Sequence, residues 1–363
     1  MYRYLIIFLL LSIYFSSCRS STKERLVYQD VLKPDLTTSP VAHDPDDPAV
    51  WIDPENAEQS LILGTDKGSG QADGALYVFN TNGEILEDKT IKGLQRPNNV
   101  DVEYHVKLND TTVDIALVTE RNANALRIFS LPDMKPLDNG GIPVFENEEN
   151  RAPMGIAAYH SEATGKTYAI LSRKAGPEEG YLFQYELIPG NNGAFTAQQV
   201  RAFGKFSGTK EIEAIAVDDS LGHVYYSDEG AGVRKYYADP QAGNDELALF
   251  AVEGFTDDRE GISIYPTGKE TGFIFVSDQS MNRFHVYKRD GKHEKMAILK
   301  VTAEQSDGSE LTTAALANEF PKGAFIAMSN EGNFHLYDWR KLREEINKMK
   351  GTDRFEERGN PTL

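Results

Sequence analysis

The stretch LILGTDK, residues 61–67, returns in altered form five more times, as IALVTER (115–121), YAILSRK (168–174), VYYSDEG (224–230), IFVSDQS (274–280) and FIAMSNE (325–331). Each copy is an apolar, β-branched or aromatic run that ends on a hydroxyl residue followed by two polar residues. The hydroxyls are Thr65, Thr119, Ser172, Ser227, Ser277 and Ser329, with successive separations of 54, 53, 55, 50 and 52 residues. Runs of this composition bounded by polar turns read as strands. A second, aromatic-rich strand follows each copy: ALYVFN, LRIFSL, YLFQYEL, VRKYYA, FHVYKRD and FHLYDW. Another short strand precedes each: PAVWID, VDVEYH, GIAAYH, AIAVDD, GISIYP and TAALAN. A unit of about 50 residues that carries at least three strands fits one four-stranded propeller blade, so six units predict an all-β, six-bladed β-propeller.

After Trp339 the last unit runs into a helix-like segment, Arg340 to Lys350, and leaves blade six without a fourth strand. The segment RLVYQDV, Arg25 to Val31, is predicted to supply it, because an open stack of sheets would expose unpaired edges. The chain then divides into a signal at 1–18, a linker with the ring-closing strand at 19–43, the propeller at 44–340, and a helix and tail at 341–363.

The amino terminus has a basic start at Arg3, an apolar run from Leu5 to Phe15, and Ser16-Ser17-Cys18. This describes an export signal too short to span a membrane comfortably. Cys18 after two serines resembles a bacterial lipobox, so lipidation of Cys18 and anchoring to the cell envelope are expected. An ordinary secretory signal that discards Cys18 is the alternative. Cys18 is the only cysteine, so the exported domain has no internal disulfide, no cysteine-ligated zinc and no thiolate nucleophile. A formal net charge of −18 argues against nucleic-acid binding. It does not exclude an anionic small molecule, provided hard divalent cations sit between acidic side chains and the ligand.

In a propeller, equivalent repeat positions form rings about the central channel. The second residue after the hydroxyl is Lys67, Arg121, Lys174, Glu229, Gln279 and Glu331, which gives three cations and then acids and an amide. The residues before the first strands are Asp47, Asn99, Met154, Glu213, Glu260 and Thr312. Polar strand ends are usually mere solvated caps. Here, however, both halves of the rim suit one ligand: Lys and Arg would grip phosphate oxygens, while the carboxylates would bind calcium that bridges further oxygens. None of the seven histidines lies in an Arg-His-Gly tripeptide, which leaves metal-assisted hydrolysis as the available phosphatase chemistry. Two neighbouring divalent ions can lower the pKa of a bridging water and clamp the attacking and leaving oxygens. Glu213, Glu229 and Glu260 are the candidates for holding that cluster, and Asp47 and Asp258 are placed as contributors. The segment Asp44 to Pro48 offers calcium ligation by Asp46 or Asp47 and is alternatively a plain turn, and Asp307-Gly308 and Asp66 carry the same ambiguity. Tyr159 is a candidate phosphate donor or a core residue.

Those residues carry a resemblance to the β-propeller phytases. The matching stretches are DDPAVWIDP (46–54), NNVDVEY (98–104), AYHSEATGKTYAILSRK (158–174), QYEL (184–187), VRAF (200–203), EAIAVDD (213–219), REGISIY (259–265) and VSDQ (276–279), spread over Asp44 to Trp339. The resemblance implies six blades, calcium dependence, hydrolysis of phytate to lower inositol phosphates by direct water attack, and a second phosphate site beside the cleavage site. It implies phosphate contacts by Lys67, Arg121, Tyr159 and Lys174. It implies calcium ligation by Asp47, Glu213, Glu229, Asp258, Glu260 and Gln279, with Asp307 the counterpart of a longer acidic loop. The loop AGPEEG (175–180) departs from the family, so Glu178, Glu179 or neither takes the matching acidic position. The partners expected are phytate or another polyphosphorylated small molecule, with no nucleic acid, membrane contact through the lipid only, and a monomeric chain. Two other functions fit the architecture. A calcium-dependent propeller lactonase or esterase would use apolar channel walls and have no use for three aligned cations, and a non-catalytic cell-surface binding propeller would tolerate loss of a rim carboxylate.

Overall fold

The computed structural model describes residues 27–349 and the strand Phe355–Glu357. The signal segment with Cys18, Arg25 and Leu26, and most of the tail after 349 lie outside the described residues.

Six four-stranded antiparallel sheets follow one another along the chain. Blade one is Pro45–Trp51, Leu61–Asp66, Gly74–Phe79 and Ile91–Leu94, and blade two is Pro97–Leu108, Thr111–Glu120, Ala125–Leu131 and Ile142–Pro143. Blade three is Pro153–Ser161, Lys166–Arg173, Glu179–Pro189 and Phe195–Lys205, and blade four is Ile215–Asp218, His223–Asp228, Gly232–Tyr237 and Ala248–Phe250. Blade five is Arg259–Pro266, Gly272–Asp278, Arg283–Lys288 and Lys295–Lys300. Blade six takes Ser309–Leu311, Ala324–Ser329 and Asn333–Asp338 from the end of the chain and Leu36–Thr37 from its beginning.

A sheet with two apolar faces must bury both, and a ring of blades does this without leaving a free face. The buried side chains form six clusters, each shared by two neighbouring blades. Blades one and two meet through Trp51, Leu63, Val118 and Phe129. Blades six and one meet through Ile62, Phe79, Ile326 and Phe334, and this last contact closes the circle. Gly64 permits it, since a Cβ there would lie 2.2 Å from a ring carbon of Phe334. The helix Trp339–Met349 seals blades five and six with Trp339, Leu342, Ile346 and Met349, and Trp339 stacks on Tyr265 at 3.6 Å.

Two strand expectations are corrected. The ring-closing strand is Leu36–Thr37, which pairs with Leu336 and His335, and Thr38 extends the link through N–H to Phe334 O at 3.0 Å. Val27–Gln29, within the segment expected to close the ring, instead pairs in parallel with Phe355–Glu357. In blade six the inner strand is Ser309–Leu311 rather than TAALAN at 313–318. Thr312 is therefore past the inner strand, not before it.

Candidate functional site

The repeated hydroxyl has a structural task that explains its recurrence. Thr65, Thr119, Ser227 and Ser277 each donate to a carbonyl at the start of the next blade, namely those of Asn98, Met154, Glu260 and Ser306. Ser172 donates to Ile212 O at 2.6 Å, one residue before Glu213. The hydroxyls thus tether blade to blade, and they fix the backbone on which the candidate glutamates stand. The first polar residue after each hydroxyl is also structural: Asp228 accepts from Arg234 Nε at 2.9 Å and Asp278 from Arg283 Nε at 2.7 Å. The second polar residue is the one that faces the open end.

First strands begin, and second strands end, at the same mouth of the channel, as the pairs Pro45–Asp66, Pro97–Glu120, Pro153–Arg173 and Arg259–Asp278 require. Lys67, Arg121, Lys174, Glu229 and Gln279 follow those strand ends directly, so they share this mouth with Glu213 and Glu260. Glu213, Glu229 and Glu260 converge there, each offering an oxygen within 4.8 Å of the others.

The electrostatics of this cluster are unfavourable for three bare carboxylates. Burial, followed by the charges of Asp46 and Asp307, pushes Glu213 well above the usual range. Burial, followed by Glu229 and Glu213, does the same to Glu260. Burial, with Asp258 and Glu211 adding repulsion, pushes Glu229 to about 8. Glu260 Oε2 is buried without a hydrogen-bond partner, and none of the ion pairs among the described residues reaches the three glutamates. Crowded oxygen donors with an unpartnered lone pair and no balancing ammonium are what a hard divalent cation satisfies, so the residues present fit such an ion.

The cationic side of the mouth interlocks with this cluster. Lys67 Nζ lies 2.7 Å from Asp46 Oδ1, 3.2 Å from Asp307 Oδ2 and 3.6 Å from Asp44 Oδ2. Burial opposes its charge, but Asp46 and Asp307 outweigh that and hold its pKa above the usual lysine value. Gln279 Nε2 donates to Asp307, and burial pushes Asp307 up to about 7. Arg121 rests against the Met154 sulfur with Glu211 at 3.9 Å, and Lys174 pairs with Glu211. Asp258 pairs with Lys210 at the edge of the cluster.

Three expectations change at this point. Asp47 is not the mouth residue of blade one: its carboxylate accepts the N–H of Val100 at 3.0 Å and lines a channel cavity of about 410 Å³. The ring position belongs to Asp46, bonded to Lys67 and, through Asn98 Nδ2 at 3.0 and 2.8 Å, linked to Glu213. Asn98 replaces Asn99 in the same way. Tyr159 does not reach the mouth. It is 6% exposed, stacks on Tyr168 with centroids 6.0 Å apart, and sits toward the far end of Pro153–Ser161. Glu331, the sixth residue of the ring, faces His335 at 3.5 Å. Sequence reasoning missed Glu211, which lies between Lys174 and Glu229 and has a buried Oε2 without a hydrogen-bond partner. Its signal was available, since Glu211 precedes Glu213 by the same two residues that separate Asp258 from Glu260.

A family model described as Phytase matches residues 5–354. The 3-phytase of Bacillus subtilis (strain 168) is 29% identical over 341 residues, spanning 86% of this chain and 84% of that protein. Among solved structures, a luciferin-regenerating enzyme is similar in fold, with 12% identity, a TM-score of 0.50, and coverage of 82% of this chain and 91% of the other. The WD40 β-propeller domain of Doa1 has 14% identity, a TM-score of 0.47, and coverage of 81% and 79%.

Proposed function

The chain belongs to the phytase family, and from that premise we propose that it is a calcium-dependent phosphomonoesterase that hydrolyses phytate to lower inositol phosphates and inorganic phosphate. The observation that carries the calcium reading is the convergence of Glu213, Glu229 and Glu260 within 4.8 Å, opposite a half-ring of lysine and arginine. Glu213, Glu229 and Glu260 would hold the ion or ions, with Asp46, Glu211, Asp258 and Asp307 at the margin. Calcium bound there supplies neutralisation of substrate charge and polarisation of an attacking water.

The chain's own groups do the rest. Lys67, Arg121 and Lys174 bind non-bridging phosphate oxygens and stabilise the charge that develops as the bond to the inositol oxygen breaks and a bond from water to phosphorus forms. Their carboxylate partners hold these cations in place before substrate arrives, so little reorganisation is needed on binding. Asn98 fixes Glu213 through its amide and so orients one member of the cluster. Water is the nucleophile, in keeping with the absence of any cysteine after Cys18. The preferred product pattern is set by how the remaining phosphates fit the cationic arc.

Export and lipidation at Cys18, with the propeller held at the envelope as a monomer, complete the proposal. The sequence pattern at Ser16-Ser17-Cys18 supports the anchor. The test is phosphate release from phytate by a chain beginning at Arg19, in calcium and in chelator. Activity with calcium alone is expected, and equal activity in chelator would remove calcium from the mechanism.

A further inference from the structure

Five of the six residues of the mouth ring are bonded to a residue in the loop that enters their blade. The N–H groups of Lys67, Arg121, Lys174, Glu229 and Gln279 donate to the carbonyls of Asp44, Arg96, Ala152, Glu211 and Asp258, at 2.8, 3.0, 2.8, 3.2 and 3.4 Å. The entry loops therefore lay down a second, repeat-related ring beside the first. Three of its five members are acids and one is alanine; Arg96 is the cation among them.

Arg96 is held in an unusual way. Its φ is +59°, a left-handed conformation that side-chain-bearing residues adopt at a cost, and it stands directly before Pro97. The loop is pinned to the turn of blade two, because Arg121 N–H donates to Arg96 O, Asn122 N–H donates to Gln95 O at 3.0 Å, and Gln95 N–H donates to Glu120 at 2.7 Å. Strain kept in place by surrounding bonds is often kept for what it positions.

What it positions is a second arginine at the mouth of blade two, bonded backbone to backbone with Arg121. Arg96 is one of the charges that oppose the charged form of Arg121, after burial and against the pull of Glu213. The other mouth cations are already engaged: Lys67 by three aspartates, Lys174 by Glu211 and Lys210 by Asp257 and Asp258. Arg121 keeps a buried Nε with no partner, and Arg96 makes no side-chain hydrogen bond or ion pair among the described residues. Two neighbouring arginines with free donors weaken a bare fold and suit an oxyanion that takes several N–H bonds at once. In a six-blade ring blade two faces blade five, so Arg96 stands across the mouth from Glu260.

We propose that Arg96 is a substrate-binding residue that grips a phosphate group of phytate next to the one being cleaved, with Arg121 reaching oxygens of both. This rests on the phytase reading. A contact remote from the reacting bond contributes equally to ground and transition states, so its loss raises KM and leaves kcat in place.

The test compares the calcium-loaded chain from Arg19 with its R96G and R96K variants on phytate. Glycine accepts a φ of +59° better than arginine, so R96G removes the side chain while the loop keeps its shape, and its Tm is expected to match or exceed the parent's. R96G should raise KM roughly tenfold, the loss of one charge-assisted contact, with kcat within about twofold. R96K, which keeps the charge, should recover part of that loss. An active parent with an R96G KM within about twofold of its own overturns the proposal, as does an R96K no better than R96G. A parent inactive on phytate in calcium would instead overturn the phytase reading.

Discussion

Replacing Glu229 by glutamine should stabilise the calcium-free protein at alkaline pH while removing its response to calcium. Glu229 is 6% exposed and shares its space with Glu213 and Glu260. Burial first, and then the charges of Asp258 and Glu211, displace its carboxyl from 4.5 to about 8. A carboxyl raised on folding leaves stability intact below pH 4.5, and that stability is lost progressively as pH rises through about 8. At about 1.4 kcal/mol per pH unit, the interval corresponds to a ceiling of about 5 kcal/mol, part of which is spread over the other two glutamates. Glutamine has the same shape and no charge to desolvate. In chelator at about pH 9, E229Q should therefore melt several degrees above the parent, since about 1 kcal/mol is worth roughly 1–2 °C for a chain of this size. Near pH 4 the two should coincide. Added calcium should raise the parent's Tm strongly and that of E229Q little, and E229Q should lose most phytate hydrolysis. Thermal melts followed by circular dichroism across pH, with calcium or chelator, read all of this. An E229Q no more stable than the parent at alkaline pH, or one that keeps the full calcium response, would refute the crowded-carboxylate reading.

Gly155 gives a second check on how the site is held: a Cβ there would meet the carbonyl oxygen of Glu213 at 1.7 Å and Ser172 Oγ at 3.1 Å. G155A should push the Glu213 backbone aside, lowering Tm by a few degrees and abolishing calcium-dependent phosphate release; unchanged kinetics would mean that Glu213 needs no such precision. Tyr159 offers the converse, since its ring lies in the core between blades three and four. Y159F should keep KM for phytate within about twofold of the parent, and a large rise would contradict its placement.

How far the sequence reached can be followed residue by residue. The six blades were legible because strand composition and turn chemistry are local, and because the hydroxyl that tethers one blade to the next recurs at five of the six interfaces. Counting repeats was then enough to bring Glu213, Glu229 and Glu260 to one mouth with Lys67, Arg121 and Lys174. The error at Asp47 has a definite origin: the pairing of blade one shifts between Pro45 and Pro48, and blade two shifts likewise between Pro97 and Val100. A bulge changes which residue faces the mouth without leaving a mark in composition. Tyr159 was misplaced because its strand runs away from the mouth at about 3.3 Å per residue, a distance that an ungapped motif does not display. The two-residue closing strand Leu36–Thr37 is too short to carry a pattern, and its partner is almost 300 residues away. The chain by itself therefore settled how many blades there are and which side chains each one offers, since both follow from short-range alternation. Tertiary structure alone decided register, ring closure and the charge pairing of the mouth, because these depend on hydrogen bonds between segments far apart in sequence.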